Sequence, residues 1–162
     1  HEFRFRAGAA FDKIFEDTLT TMVRCGELKH HKGLLSPGHG HDDWSGRMWL
    51  QTYACSLQNF VEGYRVAARA LTLLLRGPLT DKDLTRRALA LGNRMFLAGD
   101  VQMREAVSKP LIQNAIRVFH EEGYLEQLSE NKLALAQSFA NLEAASTIEG
   151  RLIGFSTFVS TD

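Results

Sequence analysis

A single apolar pattern of helical period runs through residues 45–75 and constrains the fold more than any other stretch of this chain. Its apolar side chains recur at spacings of three and four residues, which predicts one continuous helix. These positions are Met48, Trp49, Tyr53, Leu57, Phe60, Val61, Tyr64, Val66, Ala67, Leu71, Leu74 and Leu75. Gly77-Pro78 ends the pattern, because proline disfavours helical geometry in the residue before it. A helix of roughly 45 Å implies a mainly α fold built around it.

Shorter helical patterns lie on both sides of this stretch. Residues 11–26 repeat apolar side chains at helical spacing and stop at Gly26, while residues 81–99 form a second pattern capped by Thr80 or Asp81. Ser108 caps a third pattern that ends at Gly123. Residues 137–148 are weakly helical, and the segment LIGFSTFVS, residues 152–160, favours an added strand or a disordered end.

Two short β-hairpins are predicted, each after a helix and its glycine stop. ELKHHKGLLSP turns near Lys32-Gly33 and closes at Pro37, and YLEQLSENKLALA turns near Glu130-Asn131. A helix followed by a hairpin is the end of a winged-helix unit. We therefore expect a mainly α helical domain with one long central helix and two winged-helix-like hairpins. Its predicted parts are 1–44 (winged-helix-like with a loop), 45–77 (long linking helix), 78–136 (second winged-helix-like segment) and 137–162 (tail).

The composition is that of a soluble globular protein without a strong overall charge. Nineteen basic residues balance nineteen acidic ones, so no global field draws the chain to nucleic acid or to an anionic membrane. No apolar run approaches the roughly 18 residues of a membrane span, and residues after His1 do not form a signal peptide. Cys25 and Cys55 lie in apolar helical patterns, which favours buried thiols in a reducing compartment.

The helix before the second hairpin has some of the side chains that a nucleic-acid-binding helix needs. Such a helix needs basic and amide side chains, and this one offers Lys109, Gln113, Asn114 and Arg117. Four carboxylates at its end and in the hairpin would repel phosphate: Glu121, Glu122, Glu126 and Glu130. The sequence therefore favours a scaffold for packing or protein contact, with no nucleic acid as partner.

The segment SPGHGHDDW, residues 36–44, has the residue types of a metal site or of a catalytic centre. His39 and His41 would need further ligands for zinc, from His30, His31, Asp42 or Asp43, if the loop folds back. No nucleophile is obviously paired with them, although Ser36 and Ser45 are near in sequence, and His120 is expected at a helix surface. The simpler interpretation is a loop in which Asp42, Asp43 or Ser45 caps the long helix.

Several motifs in collinear order over residues 1–135 resemble the C-terminal region of the membrane-bound glycerol-3-phosphate acyltransferases. The chain begins with a segment similar to the family's E-F-[IR]-F-x-x-G, in which Phe3, Phe5 and Gly8 hold the matching places. The long helix contains the equivalent of F-V-E-x-Y. A later helix contains the equivalent of S-x-x-x-x-x-N-A-[IL]-x-x-[FL] and its closing glycine. These matching residues are Phe60, Val61, Glu62, Tyr64, Ser108, Asn114, Ala115, Ile116, Phe119 and Gly123.

The resemblance implies a parent enzyme that transfers an acyl group from acyl-CoA, or a carrier-bound chain, to glycerol 3-phosphate. The family's H-x-x-x-x-D motif supplies a general base and the carboxylate that orients it. It is absent here, because Arg6, Leu35, Ser36, Trp44, Gly46 and Leu125 stand five residues beyond the six histidines. We therefore expect no catalytic, cofactor-binding or metal-binding residue in this chain, and no activity when it is alone.

The resemblance also implies partners and a location. The expected partner is the catalytic domain of the same protein, with a second protomer also possible, and the acyl donor is met only through that domain. The whole enzyme is expected at a membrane, facing the cytoplasm, with this segment soluble. Dihydroxyacetone-phosphate acyltransferase is a close relative. Two other classes stay open: a winged-helix regulator that binds nucleic acid, and a free-standing helical interaction module.

Overall fold

The computed structural model describes residues 11–41, 44–128 and 131–156. Its helices are α1 (Phe11–Arg24), α2 (Gly46–Leu71), α3 (Asp81–Leu97), α4 (Lys109–Glu121) and α5 (Leu142–Ser156). Its strands are β1 (Leu28–His31), β2 (Leu34–Pro37), β3 (Leu79–Thr80), β4 (Leu125–Leu128) and β5 (Lys132–Leu135). The predicted mainly α fold, with one long helix and two hairpins, is confirmed.

The chain forms two compact units, residues 1–55 and 56–162, with the boundary inside α2. The predicted parts 1–44, 45–77, 78–136 and 137–162 stay a prediction. The motif residues Phe3, Phe5 and Gly8 lie outside the described residues, as do Asp42, Asp43, Glu130 and the last six positions.

In the first unit, a glycine-terminated helix leads directly into a hairpin. Gly26 takes a left-handed conformation (φ 76°), and the Glu27 N–H donates to the Met22 carbonyl (2.9 Å), which satisfies an otherwise unpaired group at the helix end. β1 then pairs antiparallel with β2, with Leu28 opposite Pro37. Lys32 and Gly33 both have positive φ, as a two-residue hairpin turn of type I′ requires. The predicted helix end and turn are therefore confirmed.

The second unit repeats this order around a larger core. Gly123 (φ 75°) ends α4 with the equivalent hydrogen bond, from the Tyr124 N–H to the Phe119 carbonyl (2.9 Å), and β4 and β5 follow as an antiparallel hairpin. β3 adds a third strand that the sequence did not predict, giving the order β3-β5-β4. The core joins α2, α3, α4 and α5, and its largest fully buried side chains are Leu71, Leu84, Ile112, Ile148, Val66 and Val101.

The predicted helix boundaries in this unit follow their sequence signals. The long helix ends in a 3₁₀ turn, Thr72–Arg76, before Gly77. The Thr80 hydroxyl accepts from the Asp83 N–H (3.1 Å) and caps α3, as predicted. Ser108 occupies the cap position of α4, but its hydroxyl makes no capping hydrogen bond, so this part of the prediction is wrong.

Two further predictions are wrong. Residues 152–156 continue α5 as helix instead of forming a strand, because Ala145 and Ile148 of the same helix are buried in the core of the second unit. The strand predicted for 157–160 lies outside the described residues. Cys25 and Cys55 are exposed instead of buried, and both are reduced.

Candidate functional site

Glu62, from the motif F-V-E-x-Y, is a buried carboxylate that holds a loop in place. Glu62 is only 4% exposed to solvent. It accepts hydrogen bonds from the backbone N–H groups of Gln102 (3.1 Å) and Met103 (2.7 Å), and from the Gln58 side-chain amide (3.1 Å). Hydrogen bonds to a buried carboxylate compensate for its desolvation. Glu62 therefore fixes the connection between α3 and α4 on α2.

Tyr64 and Asn114 connect the two motifs that carry the resemblance. The Asn114 side-chain amide donates to the Tyr64 hydroxyl (2.7 Å), and Asn114 is 9% exposed. Between Glu62 and Tyr64, a side chain on Gly63 would overlap the Leu111 side chain and would come within 2.9 Å of the Ala106 carbonyl oxygen. Glycine is thus required here by the close approach of α2 and the start of α4.

A second polar group, formed by Arg65, Arg69, Asp100 and Glu149, attaches α5 and the segment that follows α3 to α2. Glu149 of α5 accepts from Arg65 Nε (3.1 Å) and from Arg69 Nη2 (2.7 Å). Arg69 also bonds Asp100 (2.7 Å), and this hydrogen bond, followed by the positive charge of Arg69, lowers the pKa of the Asp100 carboxyl. The hydrogen bond to Glu149 raises the pKa of Arg69, so the guanidinium stays charged. These ion pairs hold α5 and the segment that contains Asp100 against α2.

In the first unit, the glycines of GHG pack the loop backbone against the junction of α1 and β1. The Gly40 N–H donates to the Gly26 carbonyl and the Gly38 N–H to the Glu27 carbonyl, both at 2.8 Å. A side chain on Gly38 would overlap the backbone of Gly26. The loop ends at Ser45, whose hydroxyl accepts from the Met48 N–H (3.3 Å) and caps α2, as predicted.

Glu27 and His41 form a carboxylate–histidine pair in this unit. Glu27 is 7% exposed and accepts from the Tyr53 hydroxyl (3.0 Å) and from His41 Nε2 (3.3 Å). The His41 ring also stacks on Trp49, with centroids 4.7 Å apart. Desolvation, followed by the hydrogen bond to Glu27, raises the pKa of Tyr53. The pair lies beside a cavity of about 620 Å³ that Ile14, Thr18 and Met22 also line. Because both Glu27 and the His41 ring face pack against neighbours, the contacts hold the loop on the helix–strand junction.

The other histidines and serines considered as site residues are not brought together. His30, His31, His39 and Ser36 are exposed, and His120 is exposed on α4. In the part of the chain that the structure describes, no three His, Cys, Asp or Glu side chains are placed to hold a metal ion. The expectation of no catalytic, cofactor-binding or metal-binding residue remains a prediction.

An apolar surface of the first unit lies open beside its hairpin. A groove of about 490 Å³, here called the hairpin groove, is lined by Glu16, Leu19, Thr20, Val23, His30, Gly33 and Leu35. Leu35 is 48% exposed and Val23, which also lines the groove, is 38% exposed. Adjacent exposed apolar side chains are typical of surfaces that contact another protein. The hairpin groove is therefore the candidate interaction site of this unit.

Comparison with protein families gives one decisive match. The model of the glycerol-3-phosphate acyltransferase C-terminal region matches residues 1–128, most of the chain. The chain belongs to this family. A comparison with curated proteins gave no match.

Membership in this acyltransferase C-terminal region agrees with the places of the motif residues. Glu62, Tyr64 and Asn114 are internal and hydrogen-bonded, so these motif positions stabilise the fold of the region. Among residues 11–41, 44–128 and 131–156, no helix has the length and apolar character to cross a membrane.

Several of the contacts that hold loops in place in this region are not predictable from the sequence. Glu62 lies 40 residues before the backbone N–H of Gln102 that it binds, and Glu27 lies 14 residues before His41. A local sequence pattern therefore predicts neither contact. Asn114, considered for base recognition, is instead bonded to Tyr64.

Proposed function

We propose that this chain is the non-catalytic C-terminal region of an enzyme that acylates glycerol 3-phosphate at its first hydroxyl. The product would be lysophosphatidic acid, the first intermediate of glycerolipid synthesis. The family match over residues 1–128 carries this proposal. Because this sequence contains no H-x-x-x-x-D, we propose that proton transfer belongs to another part of the enzyme. The choice between glycerol 3-phosphate and dihydroxyacetone phosphate belongs to that part as well.

The proposed partner is the catalytic domain of the same protein, bound at the hairpin groove. Leu19, Val23 (38% exposed) and Leu35 offer an apolar contact area of the kind that a neighbouring domain covers. A second protomer is the alternative occupant. Acyl-CoA or an acyl carrier protein would be met only by the catalytic domain. The enzyme as a whole would be membrane-associated and would face the cytoplasm.

The second unit is proposed to be winged-helix-like and to serve as a scaffold. The order β3-α3-α4-β4-β5, with β5 central in the sheet, supports this assignment. The outer side of α4 presents Lys109 and Arg117, but Glu121 and Glu126 are exposed at its end and on β4. Since these carboxylates repel phosphate, the charge favours protein contact over recognition of nucleic acid by this helix.

The first experiment tests the non-catalytic role directly. The purified chain is incubated with radiolabelled glycerol 3-phosphate and acyl-CoA, and lysophosphatidic acid is measured. The expected result is formation at the protein-free rate, because no histidine here has the family's aspartate partner. Acyl transfer by the isolated chain, with contaminating enzymes excluded, would overturn the proposal.

A second experiment tests the hairpin groove. Leu35→Asp is expected to weaken binding to the catalytic domain by at least tenfold, because a charge would replace an apolar contact. Leu128→Asp is the matched control, since Leu128 is 42% exposed on the hairpin of the other unit. Equal binding by all three proteins, measured by calorimetry, would exclude the hairpin groove as the contact.

A further inference from the structure

The outer face of α3 concentrates positive charge. One side of α3 is buried, through Leu84, Thr85, Ala88, Gly92 and Met95. On the other side, four cationic side chains are exposed: Lys82, Arg86, Arg87 and Arg94. At 3.6 residues per turn these four fall within an arc of about 140°, and we call them the basic face of α3.

The basic face stands out because the chain as a whole is neutral. Between Lys82 and Ala98 the sequence contains one carboxylate, Asp83, which is bonded to Arg86 (2.7 Å). Asp81, in the first helical turn, is the nearest other carboxylate on this helix. The four cations together with Asp83 therefore give this surface a local net charge of about three positive units.

Leu97 gives this face a second property. It is 84% exposed, the highest value among the large exposed apolar side chains of the described residues. By helical geometry it points into the same arc as Lys82, Arg86 and Arg94, about 22 Å along the axis from Lys82. Cations beside an exposed leucine suit an interface with anionic headgroups and acyl chains, where the charges meet phosphate and the leucine leaves water.

We infer that the basic face of α3, with Leu97, binds directly to an anionic phospholipid surface. Nucleic acid shares the phosphate chemistry but has no apolar phase for Leu97 to enter, so the lipid surface accounts for both features. The inference deepens the proposed function, in which the enzyme works at a membrane, and gives this region its own membrane contact. Vesicle binding involves no acyl transfer, so either idea can fail without the other.

The test uses the full chain of 162 residues. Its co-flotation is measured with vesicles of phosphatidylcholine alone and with vesicles that contain about one-third phosphatidylglycerol. Binding is expected to the anionic vesicles and to fall as salt rises, because exposed charges are screened. Each cation removed should weaken binding about fivefold, so Lys82→Gln/Arg87→Gln/Arg94→Gln should weaken it about a hundredfold. Leu97→Ser should weaken binding at every salt concentration.

A matched control separates this face from overall charge. Lys13→Gln/Arg24→Gln/Lys29→Gln removes three exposed cations from the first unit and should leave vesicle binding nearly unchanged. An equal loss in both triple variants would overturn the inference. So would absence of binding to anionic vesicles, or binding of duplex DNA through the basic face with no dependence on Leu97. Circular dichroism of each variant confirms that these exposed substitutions leave the fold intact.

Discussion

At the scale of single residues, the three consecutive positions Glu62, Gly63 and Tyr64 each meet a different packing requirement. Glu62 accepts hydrogen bonds from two backbone N–H groups, Gly63 leaves space for Leu111, and Tyr64 accepts a hydrogen bond from Asn114. These contacts give each of the three motif positions a packing role. The residue types of this motif are set by the contact of α2 with the 102–103 loop and with α4.

Gly63→Ala is expected to lower the free energy of unfolding by about 1–2 kcal/mol. The added methyl group gains helix propensity but must displace Leu111 and the Ala106 carbonyl, and overpacking of this kind costs more than the gain. Gly150→Ala is the control, because a side chain there meets no atom within 4 Å and the exchange should stabilise α5 by up to about 1 kcal/mol. Urea denaturation measures both. Equal stabilisation by the two substitutions would show that α2 and α4 do not approach closely at Gly63.

Residues with local signals were predictable from the sequence, while those with distant partners were not. Thr80 and Ser45 cap helices as expected, because a cap is read within three residues. The exposure of Cys25 and Cys55 and the pairing of Glu27 with His41 depend on how separate segments pack. Apolar periodicity at 45–55 indicated a helix correctly, yet Met48 is 44% and Tyr53 is 38% exposed, so the pattern overstated the burial of these side chains.

At the scale of elements, Arg69 links α2 to both Asp100 and α5, and this link should depend on pH. The pKa of Asp100 is lowered from its ordinary value of 3.8. When the pKa of a carboxyl is lower in the folded state than in the unfolded state, its interaction stabilises the fold fully at pH values above the unfolded-state pKa. This stabilisation is lost as the pH falls through the folded-state pKa. Asp100→Asn should therefore be less stable than the parent chain near neutral pH, and the difference should disappear in acid.

Thermal unfolding followed by circular dichroism at stepped pH checks this dependence. In an Arg69→Gln background, Asp100→Asn should have a much smaller effect, because the main partner that lowers the pKa of Asp100 is gone and only the weaker influence of the Arg65 charge remains. A difference between the parent chain and Asp100→Asn that is constant from neutral pH to strong acid would contradict the ion pair.

Most elements were predictable because they begin and end with strong local signals. Gly26, Gly123 and Gly77-Pro78 mark helix ends, and Lys32-Gly33 marks a hairpin turn. β3 was missed because two residues carry no periodicity, and its pairing with β5 is visible only in the fold. The helical form of residues 152–156 was missed because burial of Ile148 in the core outweighs the β propensity of the segment that follows.

At the scale of the whole molecule, two compact units offer two different surfaces. The first has the apolar hairpin groove, and the second has the basic face of α3. The overall balance of nineteen basic and nineteen acidic residues conceals this second surface, because composition sums over the chain while the fold segregates charge. The sequence therefore indicated the family and the absence of its catalytic motif, but not these surfaces.

The most direct test of the account is the acyltransferase activity of the parent enzyme with this region deleted. Formation of lysophosphatidic acid is compared in membranes that contain the whole enzyme, the truncated enzyme, and the truncated enzyme supplied with the separate chain of 162 residues. Deletion is expected to abolish activity, and the separate chain is expected to restore part of it while remaining inactive alone. Full activity of the truncated enzyme would contradict the proposed supporting role.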